Sequence, residues 1–341
     1  MPLPERGLRA PAEILAIRAD RLGELLLTLP AIRAIKDSYR NVRVTLMVHP
    51  NWESLVKRLT WIDQVVAYDG INSSGGVVEG MRLVRVFRSS PFDIAILFHS
   101  KKSFNLASFL AWIPTRIGYH RKWGILLTHS IPDEKFKGEK HELEYNMDLI
   151  RLLPGIRIPP KPKLIFPVTE EDRQKIRWRL EQTGVGENEP FIAIHPMTSD
   201  PRPWFAAKRF VSVANEIERA YHWRTIWVGG QEETNQVNPL MIQLGEPHLD
   251  FCGLLSLGEL AALLEKSKLL VSMDSGPVHI AAAVGTPTVV LFGKGDNPGQ
   301  PRRWGPWGNR HELLYHTSIA EREKGYSLEE IMGAIERCLM R

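Results

Sequence analysis

The sequence predicts an α/β protein made of two doubly wound, parallel-sheet domains. Three observations lead there. Short β-rich apolar runs alternate with helical stretches along the chain, the alternation breaks once at a proline-rich segment near the middle, and 341 residues exceed one ordinary core while fitting two domains.

In the first half, strand-like runs cover 14–19, 42–48, 64–68 and 92–98. After the first run, Leu25, Leu26, Leu29, Ile32 and Ile35 recur at helical spacing, and strand–helix–strand order implies a doubly wound sheet. Leu153-Pro154-Gly155, Pro159-Pro160 and Pro162 read as a rigid connector, which puts the boundary between domains 1–165 and 166–341. The pattern restarts with strands at 191–195, 224–230, 269–274 and 288–293 and helices at 209–220 and 257–266. The last helix is expected to pack back on the first domain. Ligands of such sheets bind at the carboxyl ends of the strands, so residues just after each run are the site candidates.

Composition narrows the function. With 43% hydrophobic and 24% charged residues, the chain reads as soluble and globular, and it contains no apolar run near the roughly 18 residues of a membrane span. No export signal is evident before the first strand, so a cytoplasmic location is expected. Cys252 and Cys338 lack the spacing of a zinc site and read as buried thiols. Residues 1–165 hold 25 Lys and Arg against 16 Asp and Glu, the remainder 19 against 23. The basic first half points to an anionic partner.

Five segments carry candidate chemistry. The first strand runs into Arg18-Ala19-Asp20-Arg21-Leu22-Gly23-Glu24, where glycine permits a tight turn and Glu24 falls in the first helical turn. A carboxylate there can take a proton from an acceptor hydroxyl, or can simply complement the helix end; Asp20 is the alternative base. Arg18 and Arg21 either hold an anionic acceptor or pair with Asp20. In the second half, Thr198, Ser199 and Arg202 combine hydroxyls with a guanidinium, as a departing diphosphate requires, or form a surface turn. Glu232, after the run at 224–230, can accept hydrogen bonds from ribose or sugar hydroxyls, or cap a helix. Asp274-Ser275-Gly276 opens a small-residue helix whose free N–H groups make a phosphate seat, with His279 one turn in. Lys294 lies in a second glycine-containing loop. Neither a Walker loop nor an Asp-x-Asp motif occurs, so arginine, lysine and helix ends are expected to replace a metal at the leaving group.

Together these segments resemble family 9 glycosyltransferases, the ADP-heptose:lipopolysaccharide heptosyltransferases of Gram-negative bacteria. The resemblance rests chiefly on 274–283, with Gly285-Thr286-Pro287 and Leu291-Phe292-Gly293. Arg21-Leu22-Gly23 with Thr28-Leu29-Pro30, and Arg303-Trp304-Gly305-Pro306, support it. It implies a GT-B architecture, two Rossmann-like domains facing a cleft, and inverting transfer with no metal or other cofactor. It also implies that the second domain binds a nucleotide sugar, ADP-heptose. One departure stands out: where these enzymes carry Asp after the glycine, taken to be the catalytic base, this chain has Glu24. Arg202 stands where the family places a basic residue thought to steady the donor diphosphate.

The acceptor expected is an anionic glycolipid at the inner-membrane surface, bound by a peripheral, monomeric protein, and not nucleic acid. Lys101, Lys102, Arg116, Arg121 and Lys122 follow the run at 92–98, beside Phe104, Phe109, Trp112 and Trp123. Two other functions stay open: a nucleotide-sugar epimerase of the same two-domain form, and a sugar-binding protein that has lost turnover through Glu24.

Overall fold

The computed structural model describes residues 13–69, 77–198, 208–293, 300–308, 310–316 and 325–340. The chain divides into two compact units, Met1–Pro162 and Lys163–Arg341, each with its own six-stranded sheet.

The first unit begins with β1 (Glu13–Arg18), α1 (Leu22–Leu26), α2 (Leu29–Ser38), β2 (Arg43–Val48), α3 (Pro50–Lys57), β3 (Gln64–Ala67) and α4 (Val77–Phe87). It continues with β4 (Ile94–Leu97), α5 (Lys102–Leu110), β5 (Thr115–Tyr119), β6 (His129–Ile131) and α6 (Glu142–Ile150). All its strands are parallel, in the order β3-β2-β1-β4-β5-β6. That is the Rossmann order, with its switch point between β1 and β4. Both central strands are apolar because helices cover both faces. The helical stretch expected as one piece after β1 is broken in two. Pro30 has no N–H, and its ring would meet the carbonyl of Leu26, the residue at which α1 ends.

The second unit has α7 (Glu170–Gln182), β7 (Phe191–His195), α8 (Arg209–Tyr221), β8 (Arg224–Trp227), α9 (Thr234–Leu244), β9 (Leu249–Asp250) and α10 (Leu257–Lys266). Next come β10 (Leu269–Met273), α11 (Gly276–Val284), β11 (Thr288–Leu291), α12 (Gln300–Trp304), β12 (His311–Leu314) and α13 (Leu328–Met340). The parallel order β12-β11-β10-β7-β8-β9 repeats the Rossmann arrangement, with the switch point between β7 and β10. Ile331, Ala334, Ile335 and Cys338 of α13 belong to the core of the second unit, with Phe210, Val271 and Val289. No helix among the described residues is long and apolar enough to cross a membrane.

Candidate active site

At the switch point of the first unit, β1 delivers Asp20 and the first turn of α1 delivers Glu24. Arg18 organises both. Its side chain is 3% exposed, and it donates from Nη1 to Phe98 O at 2.9 Å, from Nε to Glu24 O at 3.2 Å and from Nη2 to Glu142 Oε1 at 3.1 Å. Asp20 Oδ1 lies 3.4 Å from Nε. Burial works against the charge on this guanidinium, but Asp20, Glu142 and Glu24 outweigh it and raise its pKa. Arg18 is therefore an interior strut, and the expectation that it holds an acceptor is replaced. Arg21 stays exposed at the N-cap of α1.

The strut is braced by α6. Glu142, 1% exposed, also receives the Lys135 ammonium, which sits 4.4 Å from the centroid of the Tyr119 ring. One turn on, buried Asn146 donates to Leu27 O at 3.0 Å and to Thr28 Oγ1 at 3.2 Å, and Thr28 Oγ1 donates to Glu24 O at 2.8 Å. Trp52 Nε1 donates to Asp20 O at 2.9 Å. The backbone around both carboxylates is thus pinned from three sides, as precise chemistry requires.

Burial raises the pKa of both carboxyls; each is raised further by a neighbouring carboxylate, Glu142 for Asp20 and Asp20 for Glu24, against the opposing pull of Arg18. His99, just beyond β4, has Nδ1 3.9 Å from Asp20 Oδ2. Burial and the charges of Arg18, Lys101 and Lys122 push it down to about 3, so it is neutral at physiological pH. The edge therefore presents carboxyls raised above their ordinary range beside a histidine that stays neutral.

The expected basic cluster assembles next to this edge. Lys101 is the N-cap of α5, and Lys102 Nζ lies 5.7 Å from the Trp123 ring centroid. Asn105, also buried, donates to the carbonyls of Arg121 at 3.3 Å and Lys122 at 2.8 Å, fixing a turn in which Lys122 and Trp123 have φ of +48° and +70°. Burial, with Arg121 and Lys101 alongside, lowers the Lys122 pKa. Of the aromatic residues expected to face a ligand, Phe109, Trp112 and Trp123 are exposed, whereas Phe104 is wholly buried in the core. Arg116 lies over the Phe109 ring, with its Nε donating to Leu126 O at 2.8 Å.

In the second unit the ends of β7, β8 and β10 meet. Thr198 Oγ1 donates to Asp274 O at 3.2 Å, tying the loop after β7 to the turn that opens α11. Ser275 is the N-cap of α11 in extended conformation, and Gly276 starts the helix. Ser275 Oγ lies 3.0 Å from His195 Nδ1, and His195 Nε2 lies 3.3 Å from Glu233 Oε2, which also accepts from Gly230 N at 2.7 Å. Gly229 makes room for that carboxylate, since a Cβ there would come within 2.8 Å of Glu233 Oε2. Burial opposes ionisation of Glu233, but the His195 and Gly230 hydrogen bonds prevail and lower its pKa. Glu233, not Glu232, is the acid turned into this network; Glu232 is exposed. His279 is buried within α11. Ser199, Arg202 and Lys294 lie outside the described residues.

His99, Glu142, Asn146 and His195 were not singled out in the sequence, and of the acids after β8 Glu232 was preferred to Glu233. His195 and His99 were findable, because both stand at the carboxyl end of a switch-point strand. Glu142 and Asn146 approach from a helix more than a hundred residues away, and no local signal marks them.

The family model for glycosyltransferase family 9 (heptosyltransferase) matches residues 81–331. The chain is 25% identical to a Haemophilus influenzae protein described only as a glycosyltransferase, over 94% of this chain and 93% of that one. It is 23% identical to lipopolysaccharide heptosyltransferase 3 of Escherichia coli, covering 84% of each. A crystal structure of a family 9 glycosyl transferase from Veillonella parvula superposes with a TM-score of 0.82 at 19% identity, over 98% of this chain and 99% of that one, so the two share a fold.

Proposed function

This chain belongs to glycosyltransferase family 9 and is a glycosyltransferase; from that premise we propose that it transfers a heptose from ADP-heptose to a lipopolysaccharide-core acceptor, with inversion and without a metal ion. The observation that carries the mechanism is the raised carboxyl of Glu24, held on a pinned turn at the carboxyl end of β1. Glu24 takes the proton of an acceptor hydroxyl as that oxygen bonds to the anomeric carbon. The bond from that carbon to the diphosphate oxygen breaks, and ADP leaves as the anion. The start of α11, Thr198 and Arg202 receive its diphosphate, the helix N–H groups and the guanidinium compensating the developing charge. Glu233 is available to the ribose hydroxyls. The basic cluster from Lys101 to Lys122 holds the phosphorylated acceptor, and the protein works as a monomer on the cytoplasmic face of the inner membrane.

The test is thermal protection by a panel of nucleotide sugars, followed by mass spectrometry of the products formed with a core acceptor. At a hundredfold excess over Kd a ligand stabilises by about 2.7 kcal/mol. ADP-heptose should protect selectively and yield a heptosylated acceptor plus ADP. Selective protection by a UDP-sugar, or release of free sugar with no acceptor product, overturns the proposal.

A further inference from the structure

The α4–α5 side of the first unit carries a large apolar and basic surface that extends beyond the acceptor cluster, onto α4. The inner face of α4 is buried through Leu83, Val84 and Phe87, and Gly80 sits against Leu106 of α5, where an added Cβ would come within 2.9 Å of Leu106 Cδ2. Among the described residues the outer face has no such cover. Val78 is 70% exposed, Met81 57% and Trp112 82%, with Val77 and Phe109 also open to solvent. Large side chains gathered on one face, unlike single exposed ones, mark a surface that meets something apolar.

The cations decide what that is. Between residues 77 and 128 there are 8 Lys and Arg and 2 acids, Glu79 and Asp93. Glu79 is buried and hydrogen-bonded by Tyr68, and Asp93 stands at the amino end of β4. Arg82 and Arg85 follow Met81 on the exposed face of α4, Arg88 comes just after its end, and Lys102 and Arg116 sit beside Trp123 and Phe109. Arg88 Nη2 donates to Leu110 O at 2.7 Å, and Lys101 Nζ lies 3.9 Å from Glu79 Oε1, so the two helices are joined at both ends into one face. Apolar side chains set among eight cations, with Asp93 at the amino end of β4 as the one exposed acid of the segment, match an anionic bilayer, whose headgroups attract the cations while its interface accepts the apolar groups.

We propose that the outer face of α4 and α5 docks on the surface of an anionic lipid bilayer, with Val78, Met81 and Trp112 entering the interface. This rests on the functional reading for its purpose. The amino ends of both helices lie at the carboxyl edge of the sheet, where Asp20, Glu24 and His99 are placed. A protein seated this way can take the sugar of a membrane-anchored acceptor without extracting its acyl chains.

The test is flotation of the full chain with vesicles of phosphatidylglycerol and phosphatidylcholine, and with phosphatidylcholine alone, without donor or acceptor. The wild type should float with the anionic vesicles only. V78E/M81E should bind at least about tenfold more weakly, and charge-neutralised R82Q/R85Q roughly fivefold more weakly per cation lost. Bromolipids should quench the wild type more than W112F. Because the substituted side chains are exposed, melting temperature and ADP affinity should not change. Equal flotation of the wild type and V78E/M81E overturns the proposal, as does a wild-type dimer in solution that V78E/M81E dissociates, which would make the face a self-association surface. Anionic-vesicle binding lost in V78E/M81E, in a protein that transfers no heptose, would uphold the docking face and refute only the functional reading.

Discussion

Glu24→Gln separates catalysis from stability because the structure assigns opposite signs to its effects. The substitution keeps the shape of the side chain and removes its ionisation. If Glu24 is the base, turnover falls by roughly 10² to 10⁴ while donor affinity holds. Stability should move the other way. Burial, with Asp20 alongside, raises the Glu24 pKa in the folded protein, so folding favours the protonated form. Its contribution is stabilising below the unfolded carboxyl pKa and is lost as pH rises through the raised folded value. At pH 8 the ionised carboxylate therefore opposes folding, and glutamine removes that opposition. Each pKa unit between folded and unfolded chain is worth about 1.4 kcal/mol, and each kcal/mol moves Tm by roughly 2 to 4 °C for a unit of this size. The variant should melt higher than the wild type at pH 8, with the gain vanishing toward pH 4. Calorimetric melts across that range, with single-turnover rates and donor titrations, read all three effects. A lower melting temperature at pH 8 refutes the electrostatic argument. A larger rate loss in Asp20→Asn than in Glu24→Gln transfers the role of base to Asp20.

Two further outcomes follow from the buried networks. Glu142→Gln removes the carboxylate that pairs with both Arg18 and Lys135, leaving buried charge uncompensated. The first unit should lose about 3 to 5 kcal/mol, and a calorimetric loss below about 1 kcal/mol would show that the pair is dispensable. His195→Ala disconnects Ser275 from Glu233, and loss of hydrogen bonding to a charged group should weaken ADP binding roughly tenfold or more. Unchanged ADP affinity by titration in a folded variant would place the nucleotide elsewhere.

Much of the architecture could be read from hydrophobic periodicity, and the places where it could not have physical causes. The strand at Phe191–His195 and the helix at Leu257–Lys266 match their expected limits because apolar runs end at sharp local signals, the latter opening on a Ser256–Glu259 capping box. β5, β6, β9 and β12 went unseen. They include Thr115, Arg116, His129, Asp250, His311 and Glu312, and their strand character comes from pairing onto a sheet already present. Positions of the candidate site were legible where they follow a strand, as with Asp20, Glu24, Thr198 and Asp274. Roles were not, since Arg18 looks the same in sequence whether it meets solvent or Glu142. Its burial is set by α6, whose residues lie 124 positions away at the ion pair.

The two sheets have the same strand order yet give a glutamate at their carboxyl edges opposite properties. Glu24 is desolvated beside another carboxylate, and its pKa rises. Glu233 is also partly desolvated, but it receives a hydrogen bond from the Gly230 N–H and lies in one with His195, and its pKa falls. A carboxyl driven upward holds a proton readily once it has taken one, which suits the group that must accept it from a hydroxyl. A carboxyl driven downward stays an ionised acceptor fixed in place, which suits recognition of hydroxyls that never react. Exchanging the environments would exchange the roles. The division of labour between the two units thus comes from the neighbours that each fold supplies: Arg18 with its ring of carboxylates in one, and a histidine and a glycine N–H in the other.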